Sequence, residues 1–240
     1  MEDLLTGNVF GLWRYLPAKL GLRGVLQSAR RADGEQLHVP ESFKLASLEF
    51  WPWLQISENK GIEPDILLRL RDSSGQLLIV LIEAKFKSGK SSFATPGGQG
   101  DQVNDQLGKQ MVSLRSIAKD EHAKSYALIY LTAEPKFPLP GIQQSIDELE
   151  LKTHQGSQSH FYWTNWRAVY SELVTTLHSS SMGEIERNLL TDAVQILESL
   201  GFSDFTGITS PFSGAAVPNW SMSVAFTWNI PRAVNYEFDH

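Results

Sequence analysis

The chain has 240 residues, a formal net charge of −6 and no cysteine. Without cysteine, disulfide scaffolds, cysteine-ligated zinc modules and cysteine nucleophiles are excluded, and the acidic balance argues against a broad phosphate-binding surface, since non-specific nucleic-acid affinity comes largely from Lys and Arg. The composition, 42% hydrophobic and 20% charged, is that of an ordinary globular protein; no apolar stretch reaches bilayer-spanning length, the start MEDLLTGNVF lacks the basic region of a signal peptide, and a cytoplasmic location is expected.

In chain order, Leu4, Leu5, Val9, Phe10, Leu12, Trp13 and Leu16 recur at helical spacing, so residues 3–31 are expected to be mostly helical, with a break at Pro17. Residues 32–44 read as a connection. The aromatic run LASLEFWPWL (45–54) predicts a strand at a sheet edge, because Pro52 cannot donate to a ladder. ENKG (58–61) reads as a turn, PDILLRLR (64–71) as a strand, DSSG (72–75) as a turn, and LLIVLIEAKF (77–86) as a strand buried on both faces. Residues 45–86 therefore predict a three-stranded meander. A polar loop (87–100) leads to a helix capped by Asp101 and running to about Lys119, with Val103, Leu107, Met111, Leu114 and Ile117 on its apolar face. A buried strand is expected at 125–132, a short helix at 142–150, a strand at 160–166, a helix at 166–178 and a long amphipathic helix at 183–201. VAFTWNI (224–230) is a candidate late strand without a place. The expected architecture is α/β, a mixed central sheet flanked by helices. It forms one domain over 1–240, with its core at about 45–178 and a helical C-terminal extension at 179–240.

Chemistry concentrates where two of these strands meet. Side chains alternate along a strand, so Glu83 and Lys85 share a face. Asp65 opens the preceding strand, and in an antiparallel hairpin the start of the first strand lies beside the end of the second. Asp65, Glu83 and Lys85 are therefore expected at one edge of the sheet. Two converging carboxylates repel, and one keeps its proton unless a cation intervenes. Mg²⁺ suits such a pair, because it takes oxygen ligands and is content with one or two carboxylates; the Ala84 carbonyl is a further candidate ligand.

Pro64-Asp65 followed by Glu83-Ala84-Lys85 on the adjacent strand resembles the PD-(D/E)xK nuclease superfamily, and the resemblance covers roughly residues 45–132. It implies a restriction-endonuclease-like fold and Mg²⁺-dependent (alternatively Mn²⁺-dependent) cleavage of DNA, in restriction, phage defence or repair. Asp65 and Glu83 would be metal ligands and Lys85 the catalytic lysine. Relatives carry a glutamine on the following helix, which makes Gln106 a candidate at the site. Gln102, Gln106 and Gln110 lie on one helix face, and Gln102 and Gln110, with Lys87 and Lys90 of the loop, are candidate nucleic-acid contacts. A solvated helix face is the plain alternative. Relatives also carry a glutamate on the first helix, for which Glu2 is the candidate, against a simple helix-dipole role. Glu49 is a candidate third carboxylate, against an exposed edge residue. Arg69 and Arg71 are available to a local basic cleft.

AKFKSGKS (84–91) matches a loose P-loop pattern, but Pro96, Gly97 and Gly98 cannot continue the helix that a P-loop needs. The six histidines show no metal-ligand spacing, and Trp51, Trp53, Trp163 and Trp166 are expected to pack under the sheet. A second functional reading, motivated by the acidic charge and the aromatic-rich tail, is a non-catalytic nuclease-like subunit in a larger complex. Self-association or a DNA-binding partner would also supply the surface that an acidic nuclease lacks.

Overall fold

A computed structural model describes residues 2–57, 60–86, 92, 103–154, 156, 160–179 and 181–203. The chain divides into compact units at 1–204 and 205–240; the second, with the expected strand at 224–230, lies outside the described residues. The described elements are α1 (Glu2–Phe10), a 3-10 turn (Gly11–Arg14), α2 (Leu22–Gln27), β1 (Phe43–Phe50), β2 (Leu54–Ser57), β3 (Lys60–Ile62), β4 (Ile66–Asp72), β5 (Leu77–Ala84), α3 (Gln106–Asp120), β6 (Ser125–Thr132), α4 (Leu139–Thr153), β7 (Phe161–Asn165), α5 (Trp166–Ser179) and α6 (Glu184–Ser199). Among the described residues, no helix is long and apolar enough to cross a membrane.

The architecture is α/β. A five-stranded mixed sheet has the order β1-β4-β5-β6-β7. β4 pairs antiparallel with β1 and β5, while β6 is parallel to β5 and β7 to β6. Parallel neighbours need a crossover, and α3 and α4 supply the two. Every residue of β5 is buried, as its unbroken apolar run requires. Alternation sends Leu78, Val80, Ile82 and Ala84 into a core shared with Phe10, Leu26, Trp166 and Leu197. Leu77, Ile79 and Leu81 enter a second core with Leu107, Met111 and Leu114 of α3 and Ile142, Ile146 and Leu149 of α4. The site thus sits at one end of a strand that is covered on both faces.

Four expectations are corrected. The predicted strand 45–54 ends at Phe50, where Trp51 takes φ +50°; the chain then forms a separate β2–β3 hairpin, inserted into the meander. α3 is capped by Asp105, which accepts from the backbone N–H groups of Leu107 and Gly108, rather than by Asp101. α6 is no extension: Leu190, Ala193, Val194 and Leu197 pack in the first core with residues of α1 and α5. Trp166 is buried as expected, but Trp51 and Trp53 are exposed.

Candidate functional site

The β4–β5 ladder pairs Ile66 with Ile82, and one step further sets Asp65 opposite Glu83. Just beyond the strand start, Asp65 is held at both its backbone and its side chain. The Trp51 N–H donates to its carbonyl (3.0 Å), and the Ala84 N–H donates to its Oδ2 (2.7 Å). Ala84, expected to offer a carbonyl, therefore meets Asp65 through its N–H.

Glu83 is almost fully enclosed, with 2% of its area exposed. A buried carboxylate must be hydrogen-bonded or paired, and three donors converge on this one. Lys85 Nζ lies 2.7 Å from Oε1. Gln106 Nε2 donates to Oε1 (2.5 Å) and Gln110 Nε2 to Oε2 (2.5 Å). The two glutamines, one helical turn apart, thus straddle the carboxylate from α3. Lys85 is itself buried. Its ammonium also lies 3.2 Å from Glu2 Oε1, whose Oε2 accepts from the Phe86 N–H (2.8 Å). Trp166 Nε1 donates to the Lys85 carbonyl (3.2 Å), and the Lys85 N–H donates to the Leu131 carbonyl (2.7 Å). The turn into and out of the site is thereby tied to β6 and α5.

Burial, reinforced by the charge of Glu83, pushes the Asp65 carboxyl up to about 7, although the Ala84 N–H and Lys85 pull the other way. Burial raises Glu83 too, against the opposing effects of Lys85 and Gln110. For Lys85, burial works against the charge, but Glu83 and Glu2 outweigh it, so the ammonium is held above the ordinary lysine range. Tyr130, opposite Glu83 in the β5–β6 ladder, has its phenol raised to about 12, chiefly by burial.

Asp65, Glu83, Lys85, Gln106, Gln110 and Glu2 are thus brought together. Glu2 engages the lysine and a backbone N–H rather than joining the two carboxylates in a three-carboxylate cluster. The Glu49 carboxylate is found paired with Arg69, which also holds Glu121 through Nε and Nη2 (2.8 and 2.6 Å). Arg69 is therefore spent on carboxylates. Arg71 pairs with Leu77 at the far end of the hairpin, about 20 Å from Asp65 at strand rise, so neither arginine contributes a basic cleft here. Glu49→Gln is expected to loosen only the Arg69 cluster, at a cost of about 1 kcal/mol of stability or less; a denaturant melt checks it. Lys87, Lys90 and Gln102 lie outside the described residues. Tyr130 and the bond from Trp166 to the Lys85 carbonyl carry no local signal in the sequence: they depend on β6 pairing with β5 and on α5 packing in the first core.

Among the described residues, no group of three or more His, Cys, Asp or Glu side chains is placed to hold a metal ion. The donor set here is the pair Asp65 and Glu83. It fits a hard divalent cation that keeps most of its water: all donors are oxygen, burial together with the charge of Glu83 raises Asp65 well out of its usual range, and among the described residues the ammonium beside the pair, that of Lys85, is shared with Glu2.

No family model matches this chain, and no curated protein or solved structure matches it. Its fold and site define a mixed α/β protein with a buried carboxylate–lysine cluster at one end of its central sheet.

Proposed function

We propose that this protein is a metal-dependent deoxyribonuclease of the PD-(D/E)xK, restriction-endonuclease-like kind, hydrolysing DNA phosphodiester bonds endonucleolytically. The observation that carries the reading is the forced proximity of Asp65 and Glu83 beside Lys85, all buried at one sheet end. A folded chain accumulates repelling carboxylates in a low-dielectric site only at a cost, and such clusters concentrate where chemistry is done. Asp65 and Glu83 would hold Mg²⁺ or Mn²⁺, which when bound neutralises charge at a phosphate and lowers the pKa of water.

The protein's own groups have separable tasks. Glu83 is held by Gln106 and Gln110, so its carboxylate plane is preset rather than sought. Lys85 keeps its proton and therefore enters as a fixed cation and hydrogen-bond donor, suited to a phosphate oxygen or to orienting the attacking water. Asp65, with its carboxyl raised to about 7, sheds its proton in the neutral range.

Mn²⁺ titration by calorimetry and cleavage of supercoiled plasmid test the proposal. Binding is expected at millimolar metal or below, tightening up to about tenfold per pH unit as pH rises toward about 7, because protonated Asp65 cannot ligate. Cleavage is expected to vanish with a chelator and to fall on the order of 10³-fold in Asp65→Asn. A wild-type chain that binds no Mn²⁺ and cuts no DNA overturns the proposal. The net charge of −6 would then favour the second reading, a non-catalytic subunit that works through a partner. In an active enzyme the same charge points to a homodimer or partner subunit supplying the DNA-holding surface.

A further inference from the structure

Glu148 lies on α4, far from Asp65 and Lys85 in sequence and touching neither, yet it is buried and its carboxylate faces backbone rather than a cation. Its two oxygens accept from the Asn104 N–H (3.2 Å each), and Oε2 also accepts from the Asp105 N–H (2.8 Å). Asp105 is the cap of α3: its Oδ1 accepts from the N–H groups of Leu107 (2.9 Å) and Gly108 (3.1 Å). The next residue is Gln106, and one turn on is Gln110, the two side chains that hold Glu83. Gly108 lies between them where α3 meets α4; a Cβ there would come within 2.5 Å of Val103 Cγ1 and 3.8 Å of the Ser145 carbonyl. α4 thus holds the backbone just ahead of α3 through Glu148 and lies close to its first turn at Gly108.

We propose that Glu148 is a positioning residue for the carboxylate site: by clamping the backbone at 104–105 it fixes where α3 begins, and so where Gln106 and Gln110 meet Glu83. An ordinary N-cap needs only Asp105. A second, buried carboxylate behind the cap satisfies backbone donors upstream of the helix and leaves the start of α3 no alternative. The inference rests on the nuclease reading only for its catalytic consequence. The geometric claim stands without it.

The test compares Glu148→Gln with Ile146→Val, a buried core change two residues away on the same helix. The amide in Glu148→Gln removes the charge and one of the two acceptors; with its oxygen in the place of Oε2 its NH₂ is turned against the Asn104 N–H, so the clamp is weakened while side-chain volume is kept. In ¹⁵N-resolved spectra of the intact protein, the side-chain NH₂ signals of Gln106 and Gln110, displaced and exchange-protected by their carboxylate bonds, are expected to collapse toward free-amide positions in Glu148→Gln and to stay in Ile146→Val. Plasmid cleavage is expected to slow by about tenfold, through kcat rather than KM. Should Glu148→Gln not fold, Glu148→Asp, which keeps the charge but shortens the reach, takes its place with a partial displacement of the same signals. Unchanged glutamine signals in the Glu148 variant, or equal displacement in Ile146→Val, overturn the inference. A wild-type protein without metal-dependent cleavage sinks the nuclease reading alone, because the amide signals test the clamp independently.

Discussion

Asp65→Asn is expected to make the protein more stable at pH 8 while abolishing metal binding. In the folded chain the Asp65 carboxyl sits at about 7, raised by burial and by Glu83; in the unfolded chain it titrates near about 4. The folded state therefore binds this proton more tightly. Asp65 contributes stability below the unfolded value, and that contribution is lost as pH rises through the folded value of about 7. Above it, folding forces a charged carboxylate against Glu83 in full. Removing the charge relieves a cost of roughly 2 to 4 kcal/mol at pH 8, or about 5 to 10 °C in melting temperature for a chain of this size. The asparagine oxygen still accepts from the Ala84 N–H, and its NH₂ can donate toward Glu83. The gain should shrink steadily toward pH 4 to 5, where wild-type Asp65 is already protonated in the folded chain. Melting curves at several pH values check this. A variant no more stable than wild type at pH 8, or equally favoured at pH 5, contradicts it.

How much of this could be read before folding depended on the range of each interaction. The run from Leu77 to Ile82 declares itself as a two-sided buried strand, and hairpin geometry alone places Asp65 beside Glu83 and Lys85, because their register follows from one tight turn. That turn is legible too: Ser74 and Gln76 donate backbone N–H groups to Asp72, and Gly75 takes φ +82°. The β2–β3 hairpin was not legible, because LQIS and KGI are too short to show a period. The start of α3 is ambiguous in the sequence because Asp101 and Asp105 both precede a glutamine, and the backbone contacts of Glu148 on another helix lie with Asp105. The partner of Glu49 is likewise not local: sheet pairing brings Arg69 to it, and Arg69 also holds Glu121 at the end of α3. α6 read as an appendage because an amphipathic helix does not announce which surface it covers. The pattern is physical: period and turn chemistry are local, whereas the partner of a charge is chosen by the assembled fold.

Lys85→Met is expected to act with the opposite sign to Asp65→Asn. Methionine matches the length of the lysine stem but removes the cation that lies 2.7 Å from Glu83 and 3.2 Å from Glu2. Glu83 is 2% exposed, so water cannot replace the lost partner, and breaking a buried pair on one side typically costs about 3 to 5 kcal/mol. The amides of Gln106 and Gln110 remain and limit the loss but do not cancel the charge. Glu83, already raised by burial, would rise further, so the folded variant holds its proton to higher pH than the unfolded chain does. The deficit should thus be large at pH 8 and recede as pH falls through the raised Glu83 value, again because a raised carboxyl favours the folded state at low pH. The double variant with Asp65→Asn sharpens the test. If Asp65 and Glu83 repel, as the contribution of Glu83 to the raised Asp65 carboxyl implies, Lys85→Met should cost roughly 1 kcal/mol less when combined with Asp65→Asn than alone, a coupling expected of neighbours and absent between independent sites. Denaturant melts of the four proteins at pH 8 and pH 5 complete the cycle. Additivity at pH 8 would mean that the two carboxylates do not share one electrostatic environment, and the basis for a shared cation would fall with it.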